Sequence, residues 1–343
     1  MNNSQNLQNK SSIEIPFVVW LRTISVFLII LCHLTQANDN PYIVMSSQIF
    51  NVGVQIFIII SGYLFGRLGV KRPYIKWLYK RFKRIFIPYW TFLVILLILQ
   101  SLFGQSVSLK SVLFSMFGLQ RFTHVLPGAE HTWFITAILL CYIITPLIDL
   151  IVSWVLSQKS KIYLAIFICI NIVVMLVVAF TEEAAILTTC PFFALAFVLG
   201  KTLDEKKLTV KHAIVFITIA LISFAVRFFV RFFIDDTFLY VNIIARYSHY
   251  IAAFGFFIAC AYLLNCKPWK TVKLISNVSF EIYLYHYMFI RAPLSVMSLT
   301  GSWVINSIIA IACSIITAWL MNWIIHNAER IIEKNIIKRC SEK

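Results

Sequence analysis

Residues 20–34 read WLRTISVFLIILCHL. The stretch has the apolar character of a membrane helix, yet it holds an arginine, Arg22, and a histidine, His33. Ionisable groups are costly in hydrocarbon and usually face a bundle interior or a water-filled cavity. The spacing is informative. Eleven residues at 100° each return to within about 20° of the same face, with a rise of roughly 16 Å. One helix thus carries a guanidinium and an imidazole on a single stripe. Taken singly, each also fits a plainer role, with Arg22 snorkelling to one interface and His33 sitting at the other.

Working outward, similar apolar runs recur along the whole chain. Spans are expected at about 15–35, 43–66, 83–104, 132–156, 162–180, 185–200, 212–234, 244–264, 274–298 and 302–326. Each is close to the length that crosses a bilayer core. Of the 343 residues, 60% are hydrophobic and 13% charged, with mean hydropathy +0.85. That exceeds the apolar share of ordinary soluble domains. The expected fold class is an all-α membrane protein, a polytopic bundle of about ten transmembrane helices. Polar tails at 1–14 and 331–343 flank one membrane domain over 15–330. The first apolar run lacks an A-x-A cleavage pattern and reads as an uncleaved anchor. Neither a second soluble domain nor an internal repeat is evident.

The formal charge of +16 reports orientation. The N-terminal tail, alternate loops and the C-terminal tail hold 23 of the basic residues. The opposite side holds Lys110, Arg121, Arg227, Arg231, Arg246 and Arg291. The positive-inside rule then predicts both termini in the cytosol and an even number of spans. No glycine-rich phosphate loop or aromatic RNA-binding pattern accompanies the charge, so a nucleic-acid partner is not expected. The eight cysteines form no CxxC pair and read as small packing residues. His124 and His131 lack ligand-spaced partners, so no metal is expected.

Depth sorts the remaining polar residues. Glu281 falls at a depth like that of Arg22, which predicts an ion pair between them. His286 falls near mid-membrane. His131 and Trp133 open the fourth span at about the depth of His33. Asp149, His212, His326 and Glu329 read as interfacial.

Two further stretches stand out. RLGVKRPYIKWLYKRFKRIFIPYW, residues 67–90, carries eight basic residues. Anchoring and attraction to anionic lipid headgroups account for part of this. Arg81 and Arg84, spaced i,i+3, also face one way. Paired guanidiniums suit a multiply phosphorylated ligand. NVGVQIFIIISGYLFG, residues 51–66, contains Gly53, Ser61 and Gly62, which permit close helix approach or local unwinding.

Together these elements resemble the acyltransferase-3 family of integral-membrane acyltransferases. The matching stretches are Arg22-x10-His33, GVQIFIIISGYL at 53–64, RFKRIFIPYW at 81–90, HTWFITAILLCYIITPL at 131–147 and ISNVSFEIYLYHYMFI at 275–290. They occur in family order over nearly the whole chain. The resemblance implies an acyl-CoA donor from the cytosol, usually acetyl-CoA. It implies a sugar hydroxyl as acceptor, on an envelope glycan or lipid-linked saccharide, at the bacterial plasma membrane. It makes His33 the catalytic base, with Arg22 on its face, and Arg81 and Arg84 the CoA-binding pair. Supporting candidates are His131, Glu130, Trp133, Glu281, His286 and Ser61. In many members a Glu follows the tryptophan of the fourth motif by five residues; here Ile138 stands there. The chain resembles instead an H-x-W-F subgroup that includes enterobacterial common antigen acetyltransferases. With the Glu replaced, the residue orienting His33 is left to His131 or Glu130. The competing reading is a polysaccharide exporter, since helices with intramembrane charges fit that class too. Succinyl transfer, or a lipid or peptide acceptor, are variants of the enzyme reading.

Overall fold

The computed structural model describes residues 14–120, 125–181, 184–234, 239–291 and 293–341. The elements are α1 (Pro16–Gln36), α2 (Pro41–Phe50), α3 (Gly53–Leu68), α4 (Tyr74–Leu102), α5 (Leu109–Met116), α6 (Trp133–Ser157), α7 (Ile162–Val178), α8 (Ala184–Leu187), α9 (Thr189–Thr202), α10 (Val210–Phe233), α11 (Leu239–Leu263), α12 (Lys270–Asn277), α13 (Ser279–Ile290) and α14 (Trp303–Ser341). Among the described residues there is no strand.

Every expected span is helical, but they are not ten equal rods. Among the described residues seven helices are long and apolar enough to cross a membrane: α1, α2 with α3, α4, α6 with its leading turn, α10, α11 and α14. The apolar helices α7 and α9 are shorter. The expected span 274–298 is broken. Val278 separates α12 from α13, and α13 stops at Ile290, just before a segment containing Pro293, whose ring disfavours helix in the residue preceding it. The consequence is positional. His286 lies one turn from the end of its helix, beside His33. The basic stretch 67–90 is also more helical than its charge suggests, since α4 begins at Tyr74. The long connection between the third and fourth expected spans contains the short helix α5; Arg121 and His124 lie outside the described residues.

Helix α1 is central. It packs against α2, α3, α11, α12 and α13. Its start is tied down by Trp20 Nε1, which donates to the Cys266 carbonyl at 3.3 Å, and by Thr23 Oγ1, which donates to the Val272 carbonyl at 3.0 Å. Arg22 sits between these two anchors. A second fixed contact is the seam between α3 and α9. A Cβ on Gly66 would collide with the Phe197 carbonyl, one on Gly62 with the Phe193 carbonyl, and one on Gly200 with the Tyr63 carbonyl. Backbone meets backbone there, the close approach that small residues allow in membrane helices. Gly53 serves the α1–α3 contact in the same way, against the Ser25 carbonyl. By contrast α7, α10 and α14 turn rows of Ile, Val and Leu outward, a surface suited to lipid.

Ion pairs gather at one end of the bundle. They join Lys201 to Asp149 (3.2 Å), Arg67 to Glu205 (3.2 Å), Lys83 to Glu329 (3.0 Å) and Lys273 to Glu14 (2.6 Å). This is the end at which α1 begins and where the basic loops of the chain meet.

Candidate active site

At the basic end, α4, α13 and α14 enclose a cavity of about 680 Å³. One wall is cationic, with Lys71, Lys80, Arg81, Lys83 and Arg84. The facing wall carries Asn277, Glu281, Asn322 and His326. The i,i+3 pair Arg81 and Arg84 therefore opens into one space. Arg81 is braced from behind, its guanidinium 4.9 Å from the Phe65 ring centroid and 5.5 Å from that of Trp77. Such stacking holds a guanidinium without consuming its charge. Among the described residues no carboxylate pairs with Arg22, Arg81 or Arg84.

Arg22 joins this group. Tyr142 of α6 and Arg84 are its electrostatic neighbours, and Tyr142 also neighbours Arg81 and hydrogen-bonds Ser61. Ser61, Arg22, Tyr142 and the two arginines of α4 thus meet beside the cavity. The Arg22–Glu281 ion pair does not form. Glu281 is buried and accepts from Asn322 Nδ2 at 2.9 Å. The reason lies in the break at Val278, which makes Glu281 a first-turn residue of α13 facing α14.

Eleven residues along α1, a different chemistry appears. The His33 ring lies 5.2 Å, centroid to centroid, from His286 and 5.0 Å from Tyr287. His131 lies 5.1 Å from His286 and stacks on Tyr287 at 4.9 Å. Three imidazoles from α1, the turn before α6, and α13 form one cluster. His131 and His286 are buried, while His33 is half-buried. His131 Nε2 donates to the Leu284 carbonyl at 3.1 Å, and His286 Nδ1 donates to the Tyr283 carbonyl at 2.7 Å. Tyr283 in turn donates its hydroxyl to the His131 carbonyl at 2.5 Å. Each of these rings is fixed by α13, and the other nitrogen, His131 Nδ1 or His286 Nε2, has no protein partner. Among the described residues no group of three His, Cys, Asp or Glu side chains is placed to hold a metal ion.

The arrangement pairs a cationic cavity with an imidazole cluster along one helix stripe. A family model described as an acyltransferase domain matches residues 15–325. The chain belongs to the acyltransferase-3 family. The comparisons with curated proteins and with solved structures give no match.

In this membrane acyltransferase the sequence candidates divide between the two ends. Arg22, Arg81, Arg84 and Ser61 gather beside the cavity, with Glu281 on its far wall. His33, His131 and His286 gather at the other end, where Trp133 opens α6 half-buried and Glu130 is exposed. Neither His131 nor Glu130 bonds a ring nitrogen of His33. Ile138 is buried in the apolar core. His33 Nδ1 meets Gln36 Oε1 at 3.2 Å. Gln36 escaped the sequence reading although i,i+3 spacing puts it on the His33 face. Tyr142 escaped it for a better reason, since nothing local marks that tyrosine among so many aromatic residues.

Proposed function

We propose that this acyltransferase moves an acyl group, acetyl by preference, from cytosolic acyl-CoA to a hydroxyl of a cell-envelope polysaccharide. O-antigen, capsule and enterobacterial common antigen are the acceptor classes in view, and the bacterial inner membrane is the site, with both termini in the cytosol. The observation that carries this reading is the cation-lined cavity at the basic end, with Arg22 beside its arginines and His33 eleven residues further along the same helix. A donor with several phosphates needs cations at a solvent-open end, and the cavity is lined by five, of which Lys83 is paired with Glu329. Its thioester needs a base deep in the bundle, on the same path.

The chemistry follows from that placement. The phosphates of the donor rest on Arg81, Arg84 and the neighbouring lysines by charge-assisted hydrogen bonds. Arg22 guides the arm that carries the thioester along the α1 stripe. The acceptor hydroxyl enters from the opposite end and gives its proton to His33 Nε2 as its oxygen attacks the thioester carbonyl. A carbon–oxygen bond forms, the carbon–sulfur bond breaks, and the departing sulfur takes the proton back from the imidazolium. General-base catalysis contributes about 10²–10⁴-fold; holding both partners in line supplies the rest.

The test is acyl transfer or acetyl-CoA hydrolysis by the purified protein in detergent. Wild type should turn over acetyl-CoA, and His33→Ala should not. A folded wild type that neither binds nor turns over acyl-CoA overturns the reading. A deletion strain separates the enzyme from an exporter: the surface polymer persists without its acyl groups in the first case and is lost in the second.

A further inference from the structure

The three imidazoles of the cluster are not held alike. His131 and His286 are each fixed by a backbone carbonyl of α13. His33 is fixed by a side chain of its own helix. Gln36 Oε1 lies 3.2 Å from His33 Nδ1, while Gln36 Nε2 lies 3.4 Å from Cys32 Sγ. A backbone contact steadies the same residue, because Arg291 Nη2 donates to the Gln36 carbonyl at 2.7 Å. Arg291 closes α13, so the helix that positions His131 and His286 also pins the last turn of α1.

Orientation decides the tautomer. An amide oxygen accepts and cannot donate. With Oε1 facing the ring, the proton of neutral His33 resides on Nδ1, and Nε2 keeps its lone pair. A ring with the opposite tautomer would present a proton where the reaction needs an acceptor. Gln36 therefore does for His33 what a carboxylate or carbonyl does for other catalytic and metal-bound imidazoles: it fixes which nitrogen is free.

We propose that Gln36 is the positioning residue of the reaction, setting the His33 tautomer through its side-chain oxygen. The proposal rests on His33 being the base in the function proposed above. It touches neither donor nor acceptor, so its loss should act on kcat and leave the donor KM in place.

Two variants separate position from structure. Gln36→Leu removes the acceptor, and Gln36→Glu keeps acceptor oxygens at the same place. With acetyl-CoA as probe, the Leu variant should lose at least about 10-fold in kcat, with about 10⁴-fold as the limit known for removal of a tautomer-fixing partner. Its donor KM and thermal unfolding in detergent should match wild type. The Glu variant should retain most of the wild-type kcat. A Leu variant with full kcat overturns the proposal, and so does a Glu variant as impaired as Leu, because the amide nitrogen would then be the group facing the ring. If the Leu variant unfolds, the Glu arm alone decides by the same criterion.

A readout without turnover keeps the two claims apart. In 15N spectra of histidine-labelled protein, the His33 signal is the one missing from His33→Ala. It should report Nδ1 protonation in wild type and lose that preference in Gln36→Leu. Nε2 protonation in wild type overturns the role of Gln36 whatever the activity. Correct tautomers with an active His33→Ala enzyme overturn His33 as base instead.

Discussion

The two ends of the polar stripe on α1 are built on opposite principles. At the histidine end each ring has one nitrogen engaged by the protein, and the rings lie about 5 Å apart in a buried cluster. At the arginine end the guanidiniums have no carboxylate partner among the described residues, and two of them line a cavity of about 680 Å³. A ring held at one nitrogen keeps a fixed orientation and tautomer. An unpaired cation beside a cavity keeps its charge for a ligand. The first design suits proton transfer, where angle and tautomer decide the rate. The second suits capture of a charged donor, where attraction matters more than exact placement.

The contrast makes graded predictions. The largest effect should come from His33→Ala, which should lower kcat by about 10²–10⁴-fold, the usual yield of a general base. Steady-state turnover of acetyl-CoA reads it, and a raised KM with intact kcat would assign His33 to the capture end instead. Next comes the arginine pair. Arg84→Ala should raise the donor KM about tenfold with little change in kcat, the pattern of lost uniform binding. The effect should shrink as salt rises, because added ions screen charges exposed at a cavity mouth. A kcat loss equal to that of His33→Ala would erase the distinction between the two ends. Tyr142→Phe is expected to cost only about two- to fivefold in donor KM, since it removes one hydroxyl between Ser61 and the arginines, a hydrogen bond of modest net strength. The smallest change belongs to Glu329→Gln. It frees Lys83 from a half-exposed surface pair, which contributes little by itself. Donor binding, measured by calorimetry, should tighten by less than about threefold. A large gain would mean that Glu329 competes with the donor for the cationic wall.

Much of this was legible in residue spacing. Arg22 and His33 had to share a face because helical geometry is local. Arg81 and Arg84 had to point together for the same reason, and both reach one cavity. The relation between distant segments was not legible in that way. Depth counting placed Glu281 against Arg22, and that placement failed at the break at Val278. A non-helical joint resets the register of everything after it. Gln36 was within reach of the same i,i+3 argument that paired the arginines; an uncharged amide simply drew less notice than the ionisable residues around it.

By itself, then, the sequence determined the class of molecule, a helical membrane bundle, and the stripe that carries Arg22 and His33. Those follow from hydropathy and from a period of 3.6 residues, which every helix obeys whatever surrounds it. Only the tertiary structure decided the company each residue keeps. It set His131 and His286 beside His33, Tyr142 and Ser61 beside the arginines, and Asn322 on Glu281 in place of Arg22. Such pairings depend on where helices break and how closely they pack. In this chain those are governed by the joint at Val278 and by glycine seams that let α3 and α9 touch backbone to backbone.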